Sequence, residues 1–435
     1  MKSFARTLLV FWLALLARLV LWRRKPSLVA ITGSVGKTTT KELTARILAQ
    51  RYRVRASEGN YNTEIGVPLT IIGARQPRRF AEWWDVTRQA AGLLFGGAEE
   101  YPEVLVLELA ADKPGDLAHL TSFVRPDIAV ITNVRNVHLE FYQGVNQIAE
   151  EKSWVVRRLK SSGTAILNAD DSRTKAMASA VPGRALTYGF DEEATVSVTD
   201  VKQEPGGQRA TLHYRERPGA TPESFKLQTP LLGRHQLYAI MAAFAVGRVA
   251  EVNPEQIIEA IAQVSAPPGR MRIFKGRHRL TILDDSYNAS PQATLAALET
   301  LYHLKPPHRA VLGDMKELGP AAAAGHRTVG EVAGKFLDEL VVVGDEALLI
   351  AEAAKRAGMD PKKIHIASNG VEAATFVNTD KHGGTVLIKG SQAVYLEQAV
   401  KALLADPQDA KYLVQRLKES HHRAKAESLG RSSRS

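Results

Sequence analysis

Leu28-Val-Ala-Ile-Thr-Gly-Ser-Val-Gly-Lys-Thr-Thr-Thr40 decides how the chain is read. Its apolar start, Leu28 to Ile31, has the character of a buried strand. The chain breaks at Gly33-Ser34-Val35-Gly36 and continues into Lys37-Thr38-Thr39-Thr40-Lys-Glu-Leu, where apolar residues take up a helical period. A strand, a Gly-rich turn and a helix opening on Lys-Thr form a cradle for nucleotide phosphates. Backbone N–H groups and the positive helix end face the anion, Lys37 adds a point charge, and the Thr38 hydroxyl can ligate Mg²⁺. The spacing is G-x-x-G-K-T, shorter than the common G-x-x-x-x-G-K-[ST] form, which would need Gly where Ile31 stands. The stretch is read as a nucleoside triphosphate site.

Outward from this loop, the pattern to about Ala266 is one of strands alternating with helices. Candidate strands lie at Val104–Leu109, Ile128–Thr132 and Thr164–Leu167, and a helix is expected over His235–Ala250. Such alternation signals a mostly parallel sheet covered on both faces. Residues 194–230, with Thr/Val alternation and Pro-Gly turns, suggest a small antiparallel excursion. Pro267-Pro-Gly-Arg270 punctuates the chain. Strands then recur at Leu280–Leu283, Ala310–Leu312, Leu340–Val343, Ile364–Ile366 and Thr385–Ile388. The expected class is α/β: a P-loop ATPase-like domain over 27–266, then a Rossmann-like α/β domain over 267–417. An apolar and basic N-terminal helix (1–26) and a basic, frayed tail (418–435) complete the division.

With 435 residues and no cysteine, the chain has ample length for two cores and excludes disulfides, thiolate catalysis and Cys-ligated zinc. The net charge of +11 sits at the ends: residues 1–25 carry +6 with no acid, residues 411–435 carry +5, and the body between is neutral. Basic ends on a neutral body suit an anionic surface and argue against a nucleic-acid groove through the fold. Phe4 to Trp22 is almost wholly apolar, interrupted by Arg6, Thr7 and Arg18 and followed by Arg23-Arg24-Lys25. It lacks a signal-peptide cleavage site. Its longest uncharged run, Thr7 to Ala17, is short for a bilayer span, although Arg18 could snorkel. An interfacial helix on the anionic cytoplasmic leaflet fits best, with docking on the protein itself as the alternative.

Polar residues at strand ends select the chemistry, because open α/β sheets hold ligands outside the carboxyl ends of their strands. Glu108 ends one strand, Thr132-Asn133 follows the next, His138-Leu-Glu140 comes shortly after, and Lys152 is placed at the start of a helical run. Glu108 and His138 are suitable ligands for a divalent cation near phosphates. The second domain offers Asp284-Asp285-Ser-Tyr287-Asn288-Ala-Ser290-Pro291, Gly313-Asp-Met-Lys-Glu-Leu-Gly319 and Lys389-Gly390-Ser391, all after strands.

These motifs, with Asn60-Tyr-Asn62-Thr-Glu-Ile-Gly, Leu-Asn168-Ala-Asp-Asp171, Leu-Gly-Arg-His235 and Pro-Gly-Arg270, occur in one order that resembles the Mur ligases of peptidoglycan synthesis, over roughly 27–405. Within that family the pattern is most similar to the branch that adds D-Ala-D-Ala to a UDP-MurNAc-tripeptide. The resemblance implies ATP-dependent amide formation through an acyl phosphate. It places Gly33 to Thr39, Asn133 and His235 at ATP, with Lys37 on the β/γ-phosphates. Thr38 and Glu108 would hold one Mg²⁺, and His138 a second together with a carbamylated Lys152. Arg270 would reach the phosphates, Asp285 and Tyr287 the nucleotide, and Asn62, Asn288, Ser290 and Lys389 the peptide substrates. It also implies a cytoplasmic enzyme, at the inner membrane face if the first helix binds lipid.

Two departures stand out. The family's His-Asn-x-x-Asn reads His235-Gln236-Leu-Tyr-Ala239, which removes an Asn expected near adenine. The family's N-terminal UDP-sugar domain is expected to be missing, with the apolar helix in its place. A related ligase with another or a membrane-presented acceptor, and a non-catalytic membrane-tethered nucleotide-binding module, are the alternatives.

Overall fold

The structure, a computed structural model, describes residues 2–59, 61–79, 81–96, 101–135, 141–204, 206–217, 219–377 and 383–414. The tail at 418–435 and His138 therefore lie outside the described residues. Two compact units are present, Met1–Pro267 with Lys316–Ala322, and Pro268–Met315 with Ala323–Ser435.

The first unit runs α1 (Lys2–Arg24), β1 (Ser27–Thr32), α2 (Lys37–Leu48), β2 (Val54–Ala56), α3 (Gly66–Ile72), α4 (Glu82–Phe95), β3 (Val104–Glu108), α5 (Asp116–Leu120), β4 (Ile128–Ile131), α6 (Val145–Arg157) and β5 (Thr164–Asn168). It continues through α7 (Ser172–Ala176), β6 (Arg184–Gly189), β7 (Val196–Glu204), β8 (Gly207–Tyr214), β9 (Glu223–Thr229), α8 (Arg234–Val249) and α9 (Pro254–Ala262). Nine strands form one sheet in the order β2-β3-β1-β4-β5-β6-β7-β8-β9. Pairing is parallel as far as β7 and antiparallel from β7 to β9, which is the excursion anticipated over 194–230.

The central strands read as unbroken apolar runs because both faces are covered: every residue of β3, β4 and β5 is buried. Alternation along β1 splits the core in two. Val29 and Ile31 pack with Leu43 and Ile47 of α2 and with α8 and α9. Leu28 and Ala30 pack on the other side with α3, α4, α6 and one face of α1. The apolar N-terminal segment is thus a single 23-residue helix docked on the protein through Leu13, Ala17 and Val20.

The second unit runs β10 (Arg272–Lys275), β11 (Leu280–Asp285), α10 (Pro291–Tyr302), β12 (His308–Gly313), α11 (Ala322–Ala333), β13 (Glu339–Val343), α12 (Leu348–Arg356), β14 (Ile364–Ala367), α13 (Gly370–Val377), β15 (Gly384–Lys389) and α14 (Glu397–Leu403). Its six-stranded sheet, ordered β10-β11-β15-β12-β13-β14, is parallel except for the antiparallel edge pair β10–β11.

Candidate active site

Because β3, β1, β4 and β5 are parallel neighbours, their carboxyl ends share one edge of the first sheet, and the Gly-rich loop follows β1 there. Gly33 has φ +149°, and a Cβ on it would lie 1.8 Å from Thr132 Oγ1. Gly36 takes the left-handed conformation (φ +86°) at the start of α2 and caps it with no side chain, leaving the helix's first N–H groups for an anion. The loop is held from β4: Val35 N donates to Asn133 Oδ1 (3.0 Å), while Thr132 Oγ1 and Asn133 Nδ2 donate to Val35 O (2.7 and 3.1 Å). Ser34 N donates to Asn133 O (3.0 Å). Asn133, expected at ATP, thereby shapes the loop that would receive it. Lys37 Nζ folds back to Gly33 O at 2.8 Å. Thr39, two residues further along α2, is buried.

Beside the cradle, Thr38 Oγ1 donates to Glu108 Oε1 at 3.4 Å. Asn62 Nδ2, of the expected substrate residues, donates to the same oxygen at 3.1 Å and so orients Glu108. Glu108 is 2% exposed, and its Oε2 accepts no hydrogen bond among the described residues. A buried carboxylate oxygen without a donor is costly alone and fits a divalent cation. The donor set, a hydroxyl and a hard carboxylate oxygen next to a phosphate cradle, matches Mg²⁺. Lys41, which sequence reasoning missed, is fully buried with Nζ 3.9 Å from Glu108 Oε2 and bonded to Ser57 O at 2.5 Å. Its only sequence signal was a cation on the core side of an otherwise amphipathic helix.

Lys152 sits midway along α6, not at its start, because the helix begins at Val145. It is 3% exposed. Burial first, then the Lys37 charge, pushes its amine down to about 7, against the pull of Glu151 and Asp112. Glu151 is structural: its carboxylate accepts the Gly115 and Leu117 N–H groups at 2.9 and 2.6 Å and so caps α5.

At the other motif of this unit, His235 lies in the first turn of α8, and Ala239 is buried in the core. The absent Asn is thus explained by packing, since position 239 contributes to the apolar side of α8. The polar face nearby is made by residues not anticipated. Tyr238 Oη donates to Asp170 Oδ2 at 2.8 Å and packs edge-on to Phe190, over which Arg234 lies at 3.7 Å.

In the second unit the residues expected at substrates and nucleotide gather at the carboxyl end of β11. Asp285 Oδ1 accepts Met271 N–H (3.1 Å), and Oδ2 pairs with Lys389 Nζ (2.5 Å), which also donates to Asn288 O (3.0 Å). Tyr287 N donates to Gly269 O, and the Arg270 guanidinium stacks 4.4 Å from the Tyr287 ring. Asn288 Oδ1 accepts Ala289 N–H, and Ser290 caps α10. Asp284 is fully buried, and burial raises its carboxyl to about 6 against hydrogen bonds from Ser286. The Gly313–Gly319 motif serves as a brace: Asp314 Oδ1 accepts Ala347 N–H (2.8 Å), and His326 Nε2 accepts Met315 N–H (2.9 Å).

Comparison with known proteins follows the same division. A Mur ligase middle domain model matches residues 31–247, and a Mur ligase glutamate ligase domain model matches 269–392. The UDP-N-acetylmuramoyl-tripeptide--D-alanyl-D-alanine ligase of Mycobacterium tuberculosis is 31% identical over 87% of this chain and 73% of its own. The Bacillus subtilis ligase of the same name is 29% identical over 90% and 79%. The crystal structure of MurF ligase from Thermotoga maritima in complex with ADP superposes with a TM-score of 0.73 at 30% identity, covering 90% of this chain and 83% of that one. With both domain models matched in order and these relatives covered over most of their length, the chain belongs to the Mur ligase family.

Proposed function

We propose that the chain is an ATP-dependent ligase that joins D-Ala-D-Ala to a UDP-MurNAc-tripeptide. The terminal carboxylate of the tripeptide takes the γ-phosphoryl group and ADP leaves. The D-Ala-D-Ala amine then attacks the acyl carbon, loses a proton, and expels phosphate. The observation that carries this reading is the buried Glu108 carboxylate, with Oε2 undonated, beside Thr38 and an uncapped Gly-rich helix start.

Phosphoryl transfer asks mainly for positioning and charge neutralisation. The α2 N–H groups and Lys37 bind and orient the phosphates, and Asn133 holds the loop in shape. Asn62 fixes Glu108 Oε1, while Oε2, with Lys41 Nζ 3.9 Å away and no hydrogen-bond donor among the described residues, would be the oxygen offered to a metal ion. Thr38 and Glu108 would hold Mg²⁺, which would supply neutralisation of phosphate charge. A second Mg²⁺ would take His138 and a carbamylated Lys152. The buried, weakly basic Lys152 amine suits reaction with CO₂, because only the neutral form is nucleophilic. Arg270, Asp285 and Tyr287 would be nucleotide-binding residues. The enzyme is assigned to the cytoplasm, at the inner face of the plasma membrane through its first helix.

ADP release with each substrate withheld in turn tests the reading. Release is expected only with tripeptide precursor and D-Ala-D-Ala together. Equal release with another amine in place of the dipeptide would instead assign a related ligase of different specificity.

A further inference from the structure

The two sides of α1 do different work. Leu13, Ala17 and Val20 are fully buried against the first unit, with Leu9, Trp12, Leu16 and Leu21 packed around them. Polar ties reinforce this docking: Arg6 pairs with Glu64 at 2.6 Å, Arg18 donates to Ser122 O at 3.0 Å, and Arg24 donates to Gly96 O at 3.3 Å. Trp12 meets Trp83 of α4 edge-on, with centroids 6.4 Å apart.

Opposite this side, Phe4, Leu8, Phe11, Leu15, Leu19 and Trp22 stand exposed. Their three- and four-residue spacing lines them along one stripe of the helix. On α4, packed beside α1, Trp84 and Phe95 are exposed as well. Eight of the fifteen large hydrophobic side chains exposed among the described residues are therefore on these two helices, which makes the exposure a surface and not scatter.

Charge selects the occupant. No acid lies in α1, and exposed Arg23 and Lys25 close the stripe at its C-terminal end beside Trp22. Exposed Arg78 and Arg79 precede α4. Arg88 on α4 is paired with Asp85 (3.1 Å) and Glu82 partly offsets Arg78 and Arg79, so the cationic border is carried mainly by Arg23 and Lys25. Two copies of this face would bring like charges together, whereas an anionic bilayer complements both the apolar stripe and its cationic border. The helix is long and apolar enough to cross a membrane, with mean hydropathy 2.0 in an 18-residue window within Phe4–Arg24. Crossing would tear Leu13, Ala17 and Val20 out of the core.

We propose that the α1–α4 face seats the protein on an anionic lipid bilayer, with α1 lying in the interface and not spanning it. The proposal deepens the assignment to a membrane face and is independent of the ligase chemistry. Flotation of the full chain with phosphatidylcholine vesicles, with and without phosphatidylglycerol, tests it. The chain should float with the anionic vesicles, be released by high salt or alkaline carbonate, and stay behind with neutral ones. Leu8→Glu with Leu15→Glu, on the exposed stripe, should abolish flotation while the thermal melt and ligation of soluble substrates stay unchanged. Arg23→Gln with Lys25→Gln should weaken binding by on the order of tenfold. Failure to float with anionic vesicles would overturn the proposal, as would alkali-resistant binding. A dimer in light scattering that the Glu pair dissociates, without vesicle binding, would assign the face to a second copy. ADP release measured on the same samples keeps a failed ligase reading separate from a failed docking reading.

Discussion

Glu108 and Lys152 are ionisable groups buried away from water and Lys37 is half-buried, its charge acting on Lys152, so their replacement has large effects. Glu108→Gln keeps the Asn62 contact but removes the anionic oxygen, and should lower the ligation rate by on the order of 10²–10³-fold, read by ADP release at saturating Mg²⁺. Gly33→Ala should be equally damaging to ATP affinity, because its Cβ would meet Thr132 Oγ1 at 1.8 Å. Lys152 is held near 7, below its ordinary 10.5, so between those values the folded state binds fewer protons than the unfolded one. Stability should then rise with pH over that window, by up to ~1.4 kcal/mol per unit, in denaturant melts made without Mg²⁺ or CO₂. Lys152→Met should flatten the rise. With ¹³C-bicarbonate, the native chain should show a carbamate carbon that Lys152→Ala lacks; a Lys152→Ala enzyme of full activity would remove the carbamate from the account. Gly33, Lys37 and Thr38 were legible because the cradle is local in sequence. The contacts of Asn62 and Lys41 with Glu108 were not, since they cross 46 and 67 residues of chain and depend on the β3–β1 register.

Among the elements, the central parallel strands were readable to within a residue or two because burial on both faces leaves them mostly apolar, whereas the partly exposed parallel strands β2 and β6 were not anticipated. The first helix was harder. A segment apolar all round carries no sign of which side meets protein, and only the fold reveals that Leu13, Ala17 and Val20 are the docked side. Leu13→Ala should cost about 2–4 kcal/mol in chemical denaturation, whereas Leu15→Ala, on the exposed stripe, should cost little. Equal costs would mean that the helix is not docked as described. The departure at Ala239 also belongs to this scale: α8 buries that position, and Tyr238, Asp170, Phe190 and Arg234 form the polar and aromatic face beside it. Tyr238→Phe should leave the fold intact and shift the KM for ATP more than kcat if that face meets the base.

At the scale of the molecule, an ATP cradle in one α/β unit and a polar cluster at the end of β11 in another match the two domain models of the Mur ligases in order. The loop alone named a nucleotide; the resemblance of the ordered motifs to the Mur ligases narrowed it to amide formation. The net charge of +11 was a matter of location: a neutral body with basic ends points away from nucleic acid and toward a lipid surface. The central claim is that ATP is spent on an acyl phosphate of the tripeptide. It is tested most directly by labelling the terminal carboxylate of that substrate with ¹⁸O and analysing the phosphate released on ligation to D-Ala-D-Ala. Phosphate carrying one ¹⁸O is predicted, whereas unlabelled phosphate accompanying amide product would contradict the account.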